Sequence, residues 1–399
     1  MIAIYEQYRQ EGVPKKKSFF RRFSKKFFIW ANLIVGVLLI LGCYSKFFFS
    51  PSFWPIGLIP LTNIYLFVIL VAFCIFWLCF RSKWSIVLPV CLIICWNPLQ
   101  HLIPFRVGES FNIAKKNNEL RVMSWNVAQF DIMDYKRRPF KKNAMIDLVN
   151  QYQPDIVCFQ EMVAGDTLVN LNTPYYRKYS FFPVYQFVEK LQMPNYFFSY
   201  NYKEDFLIHQ HFGLIVFSKY PIINKKMVSS FPHGYNDFFQ YIDIVKGVDT
   251  FRVFNIHLQS LRFSQSNLKY IDDPSIETSK DLERSKSIIA KFKRALTRRK
   301  LQTDLIKQEL DKSPYPVILC GDFNDVPNSY SYQTIGAGLQ NCFKEKGSGI
   351  GRTFSAISPT LRIDNIFAAP QFSVQQFTRI NKLLSDHYPI VTDLQFNKQ

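Results

Sequence analysis

VILCGDFN, residues Val317 to Asn324, is a β-branched apolar run that stops at a glycine and two polar side chains, Asp322 and Asn324. Such a run reads as a short buried strand. A carboxylate and an amide just past its end occupy the rim where a sheet-based enzyme presents its chemistry.

The same pattern repeats outward along the chain. LRVMSWNV, Leu120–Val127, closes on Asn126, and IVCFQ, Ile156–Gln160, is followed at once by Glu161. FRVFNIHL, Phe251–Leu258, carries His257 near its end. IDNIFA, Ile363–Ala368, holds Asp364, and the string Ser385–His387 sets Asp386 and His387 just before the run Ile390–Phe396. Gly213–Ser218 and Phe238–Val245 are further strand-like runs. Two helices are expected between them. Asn143–Gln151 has Ile146, Leu148 and Val149 on its apolar side. A longer one, Asp281 to Leu310, repeats Leu282, Ile288, Ile289, Phe292, Leu296, Leu305 and Ile306 at helical spacings. Strands interleaved with few helices imply a layered α/β sandwich, sheets inside and helices outside. Pro174–His211 is rich in Tyr and Phe and reads as a long aromatic loop or an irregular hairpin.

Hard oxygen ligands, with no zinc-type cysteine spacing and no paired histidines, favour Mg²⁺ or Mn²⁺. Such an ion neutralises a phosphate oxygen and a leaving group, while a carboxylate positions water and a carboxylate-held histidine handles developing charge. Taken singly, each residue has a plain structural reading: Asn126 a strand-end turn, Glu161 a solvated carboxylate, Asp322 the cap of a turn through Pro327, His257 a packed ring, Asp386 a loop charge. His209, His211 and His233 have no companion ligands in sequence, Asp237 and Asp243 look like strand-edge charges, and Arg294–Lys300 reads as a solvated helix face.

Together the strings resemble the endonuclease/exonuclease/phosphatase superfamily, as a membrane-anchored bacterial-type member: Trp-Asn, Gln-Glu, Asn-x-His-Leu, Gly-Asp-Phe-Asn, Arg-Ile-Asp and Ser-Asp-His stand in family order from about Leu120 to Phe396. The resemblance implies a four-layered α/β sandwich of two packed mixed sheets flanked by helices, with Mg²⁺ or Mn²⁺ as cofactor. It makes Glu161 the principal metal ligand, with Asn126 in support and Asp386 at or near the ion. Asp322 would activate water, Asn324 would hold it or a phosphate oxygen, and His257 would bind phosphate or help the leaving group. His387 would contact the scissile phosphate, its ring fixed by Asp364. Asn365 departs from the usual aromatic residue or histidine, which would touch specificity more than chemistry.

The amino-terminal quarter is different. No Asp or Glu occurs between Phe28 and Phe105, and apolar stretches at about 28–49, 56–80 and 84–104 each approach the roughly 20 residues that cross a bilayer. The third is diluted by Pro89, Asn97, Pro98, Gln100 and His101, and an interfacial or re-entrant segment is its other reading. Eight basic and two acidic residues precede the first span, so residues 1–27 are expected in the cytoplasm. Three spans then put the catalytic part, 118–397, outside, across a bacterial inner membrane; two would leave it inside. About half of the net charge of +19 therefore reports topology rather than substrate. Five cysteines lie in the apolar stretches; Cys158, Cys320 and Cys342 are expected core thiols.

The function expected is metal-assisted hydrolysis of a phosphate ester, the substrate being nucleic acid, a phospholipid headgroup or a small phosphoester. The bilayer is the expected partner and no obligate protein partner is evident. An inactive scaffold on the same fold would lack a metal ligand, and none is missing. A transporter would carry charges within its spans, and these have almost none.

Overall fold

The computed structural model describes residues 19–104, 110–116, 118–134, 138, 140–165, 183–200, 210–229, 238–263, 265–272 and 279–397. His209, His233, Asp237 and, within the aromatic stretch, residues 174–182 and 201–209 lie outside them.

Two six-stranded sheets form the centre. The first holds β1 (Leu120–Asn126), β2 (Ile156–Gly165), β3 (Asn195–Tyr200), β4 (Gln210–Ser218), β11 (Phe372–Arg379) and β12 (Ile390–Phe396), in the order β11-β12-β1-β2-β4-β3. The second holds β5 (Ile222–Ser229), β6 (Phe238–Lys246), β7 (Asp249–His257), β8 (Val317–Asp322), β9 (Gln340–Asn341) and β10 (Asp364–Ala368), in the order β5-β6-β7-β8-β10-β9. Both are mixed: β1 runs parallel to β2 and β7 to β8, while their other neighbours are antiparallel.

Period-two alternation sorts each strand between two cores. Leu120, Val122, Ile156 and Cys158 face Val253, Ile318, Cys320 and Ile366 across the sheet–sheet interior. The outer face of the first sheet, with Met123, Trp125 and Phe159, is covered by α1 (Phe140–Tyr152) and α2 (Val184–Leu191). A short α3 (Gln265–Asp272) precedes α4 (Ser279–Asp311), which with α5 (Tyr330–Ile335) covers Phe254, Ile256 and Leu319 on the second sheet. A five-residue α6 (Cys342–Lys346) caps the β9 end. Four layers result. Cys158, Cys320 and Cys342 are buried free thiols, as core residues should be.

The strands that the sequence pattern leaves out are β3, β5, β9 and β11, and these are the four edges of the two sheets. β5 reads IINKKMVS, exposed along most of its length, so it has no apolar alternation to find. β3 pairs with β4, which makes part of the aromatic stretch a hairpin rather than a loop, and places His211 in a strand, stacked on the Tyr200 ring at 4.1 Å. Asp243 is likewise no edge charge. It is buried opposite Arg252 on β6 and β7, with hydrogen bonds of 2.6 and 2.9 Å. In α4, Ile306 and Leu296 are buried as the spacing predicts, but Leu282 and Ile289 are exposed.

Before the sandwich stand three helices long and apolar enough to cross a membrane: Phe19–Cys43, Trp54–Cys79 (its first turns 3-10) and Lys83–Leu102. Leu39, Leu70, Cys91 and Cys95 pack between them. The first begins earlier than its apolar stretch and breaks at Tyr44. Phe28 meets Phe76 at one end of this bundle, the end of Arg21, Arg22, Lys25, Lys26, Arg81 and Lys83. The opposite end docks on the sandwich. Gln333 donates to the Cys43 carbonyl at 2.7 Å and Asn328 to that of Pro98 at 3.1 Å. Arg362, fully buried and stacked on Phe343, donates to the carbonyls of His101 and Leu102. The Cys43, His101 and Leu102 carbonyls are among those that a helix C-terminus leaves open.

Candidate active site

The alternation that fills the interior also builds the site. Along β1 the inward positions are Leu120, Val122, Ser124 and then Asn126; along β7 they end on His257; along β8 on Asp322; β10 begins inward with Asp364. Register places His257 opposite Asp322, and Asp322 opposite Asp364. Four polar side chains thus emerge from the inner faces at the same end of the two sheets. Gly321 makes this approach possible, because a Cβ there would stand 2.0 Å from the Ile256 carbonyl oxygen of the parallel neighbour.

Glu161 reaches the site by a different route. The β2–β4 register shifts between Phe159 and Met162, and Glu161 sits in that bulge with φ of 51°. A bulge re-aims one side chain out of the alternation. Here it turns the carboxylate toward His257, whose Nε2 is 3.7 Å from Glu161 Oε1 and 3.5 Å from Asp322 Oδ2.

Asp322 is the hub. It has no exposed surface, accepts from the Asn324 backbone N–H at 2.7 Å and from the Asn126 amide at 3.0 Å, and lies 3.7 Å from His387 Nε2. The other ring nitrogen, Nδ1, bonds Asp364 Oδ2 at 2.8 Å. His387 is thus held in a row between two carboxylates. Asn324, in the left-handed region at φ 48°, donates its amide to the Leu258 carbonyl at 3.1 Å. Asp386 is exposed at the rim, where the Ser385 hydroxyl is 3.2 Å from its Oδ1.

Charge is unevenly shared across this cluster. Burial, then the nearby Asp386 and Asp322 carboxylates, push Glu161 up to about 7. Burial and the neighbouring Asp364 also raise Asp322. Burial pulls His257 down to about 4, so its ring is neutral. It acts against the cationic form of His387 too, but Asp364 and Asp322 outweigh it and lift that ring to about 10. The cluster therefore sets an imidazolium against more carboxylates than it can neutralise. Asp364 Oδ1 is buried without a hydrogen-bond partner among the described residues, and Asp322, Asp364 and His387 offer atoms within 4.8 Å of one another. A donor set of carboxylate and amide oxygens with surplus negative charge fits a hard divalent cation.

The endonuclease/exonuclease/phosphatase family profile matches residues 123–387, which spans every one of these side chains. The chain belongs to that family. Its members are phosphoester hydrolases. Residues 25–102 match a second profile, a domain of unknown function, over the three apolar helices. Among solved structures, an endonuclease/exonuclease/phosphatase from Beutenbergia cavernae is similar at 19% identity, over 70% of this chain and 72% of that one, with a TM-score of 0.47. The human Nocturnin catalytic domain is similar at 16% identity, over 71% and 97%, TM-score 0.47. A mannosyl-6-phosphatase from Bacteroides thetaiotaomicron is similar at 18%, over 69% and 100%, TM-score 0.45. No curated protein matches.

For this endonuclease/exonuclease/phosphatase domain, Asn126, Glu161, His257, Asp322, Asn324, Asp364 and His387 come together, with Asp386 at the edge. Asn365 does not join them. It points to the opposite face from Asp364, is buried, and accepts from the Asn341 amide at 3.2 Å, so the departure at this position does not line the site. Nor is Arg294–Lys300 wholly a solvated face, since buried Arg299 donates to the Asn324 carbonyl. Further residues support the site, and of these Thr353 and Phe354 carry no motif signal. Thr353 Oγ1 accepts from the N–H groups of Ile363 and Asp364 at 2.9 and 3.0 Å, Phe354 packs on the His387 ring at 5.0 Å, and Ser385 bonds the Asn126 carbonyl at 2.8 Å. Gln160 and Asn255 join the two sheets below the site at 2.8 Å. Their positions, beside Glu161 and within Asn-x-His, were a usable hint.

Proposed function

We propose that the chain is a membrane-anchored, Mg²⁺- or Mn²⁺-dependent hydrolase that directs water onto the phosphorus of a phosphate ester. The observation that supports it best is the row Asp364–His387–Asp322, a cationic imidazole between buried carboxylates, opening toward Glu161.

Glu161, Asn126 and Asp386 would hold the ion, which when bound supplies positive charge to a phosphate oxygen and the leaving group. Asp322, raised by burial, orients the attacking water and takes its proton. The Asn126 amide and the Asn324 N–H keep that carboxylate in one orientation. His387 donates through Nε2 to the scissile phosphate, and Asp364 fixes its ring. Neutral His257 and the Asn324 side chain line the phosphate side. The substrate is a nucleic acid, a lipid headgroup or a small phosphoester.

We place the basic segment 1–27 in the cytoplasm, residues 28–105 in a bacterial inner membrane and the catalytic domain, 118–397, outside. The arrangement that supports this is a bundle with its basic residues at one end and the sandwich docked at the other.

Calorimetric titration of the full chain in detergent with Mg²⁺ and Mn²⁺ tests the metal assignment. Glu161 must lose its proton to bind, so affinity should rise with pH by about tenfold per unit and level off above about 7. Glu161→Gln should lose both this pH dependence and most turnover. Unchanged affinity and turnover in that variant would remove Glu161 from the site.

A further inference from the structure

Helix α4 carries an apolar stripe that the sandwich does not bury. At 3.6 residues per turn, Leu282, Lys286, Ile289, Lys293, Leu296 and Lys300 fall within about 80° of arc. The stripe lies to one side of the face that packs on the second sheet through Ile306 and Leu310. Its two ends have different neighbours. Leu296 is buried against the turn that opens the second apolar helix: a Cβ at Gly57 would stand 3.0 Å from Leu296 Cδ2 and 2.9 Å from the Phe49 ring. One turn further on, Lys300 lies over the Tyr330 ring, which packs on Phe49. Toward the amino terminus the stripe runs on uncovered, with Leu282 and Ile289 each 54% exposed and Lys286 and Lys293 exposed beside them.

The uncovered part therefore continues, on the same side of the helix, the contact already made with the membrane bundle. Beside a bundle embedded in lipid, that side meets the bilayer surface. Apolar side chains flanked by lysines suit such a surface, since Leu and Ile enter the acyl boundary while ammonium groups remain among anionic headgroups. We infer that the amino-terminal half of α4 is a docking face for an anionic lipid surface.

The docked helix also bears on the site. Lys291 donates to the Arg262 carbonyl at 2.8 Å and Phe292 packs on Phe263 at 5.8 Å, both in the segment that follows His257. Arg299 holds the Asn324 carbonyl and Gln302 the Gln259 N–H. A helix laid on the membrane sets this rim of the site at headgroup level.

The test uses the full chain in nanodiscs of phosphatidylcholine with or without phosphatidylglycerol. The photo-crosslinker p-benzoylphenylalanine replaces Leu282, Ile289, Ile93 or Val248, one at a time. Ile93, 80% exposed on the third apolar helix, gives the yield for a lipid-facing position; Val248, at the β6–β7 tip, gives that for a remote one. Lipid adducts at Leu282 and Ile289 should approach the Ile93 yield with phosphatidylglycerol present. They should fall by about thirtyfold with Lys286→Glu and Lys293→Glu together, on the scale of two lost headgroup attractions. Yields no higher than from Val248, adducts to a second copy of the chain, or equal yields with and without phosphatidylglycerol would overturn the inference.

Discussion

His387 and Asp364 are the pair on which the chemistry of single residues turns. Their 2.8 Å contact and the lift of the ring to about 10 mean that the imidazole is cationic because of the carboxylate. If Asp364 acts only through the ring, His387→Ala and Asp364→Asn should each reduce turnover by roughly two or more orders of magnitude. The double variant should then be little worse than the worse single. Fully multiplicative losses, measured on the same substrate, would separate their roles. These residues were readable because each stands beside a strand whose apolar run is contiguous. The bulge that aims Glu161 was not, since φ of 51° at a glutamate leaves no trace in composition. Thr353 and Phe354 were equally hidden, being in an irregular stretch that tertiary contacts alone bring to the site.

Among the elements, central strands were legible and edges were not. β1, β2, β7 and β8 are buried on both faces and therefore read as apolar runs. β5 and β11 mix charged or amide side chains into their sequences because solvent reaches them. The pairing of β1 with β12 depends on a contact that no pattern announces. Arg121, facing Asp393 in register, makes two 2.7 Å hydrogen bonds to it, and neither side chain has exposed surface. Arg121→Leu strands a buried carboxylate and should cost about 3–5 kcal/mol, lowering the melting temperature on the order of 10 °C. Thermal unfolding followed by circular dichroism checks this. By contrast, loss of the Lys300–Asp304 pair, with Asp304 42% exposed, should cost under about 1 kcal/mol. An Arg121 variant as stable as the parent chain would mean that β12 is held by its apolar residues alone.

Across the whole molecule, span length was readable but docking was not. Gln333, Asn328 and Arg362 engage backbone carbonyls, and a carbonyl acceptor has no residue signature. The dock joins the apolar helix bundle to the loops of the site: Asn328 lies in the turn that follows Asp322 and Asn324, and Arg362 two residues before Asp364. In the proposed topology, orientation across the membrane is thereby tied to where substrate is met. Alkaline phosphatase fused after Gln399 should be active and a fluorescent protein at the same position dark. The reverse pattern would leave the third apolar helix uncrossed and the enzyme facing cytoplasmic substrates.

The most direct measurement of the central claim is the fate of solvent oxygen. The full chain, in detergent, is supplied with bis(p-nitrophenyl) phosphate or p-nitrophenyl phosphate in ¹⁸O-labelled water, with Mg²⁺ or with a chelator, and the products are weighed by mass spectrometry. One labelled oxygen should appear in the phosphate-bearing product, none in p-nitrophenol, only with the metal present, and Asp322→Asn should abolish it. Label in the nitrophenol, turnover that survives chelation, or full activity of the Asp322 variant would contradict metal-assisted attack of water on phosphorus at this site.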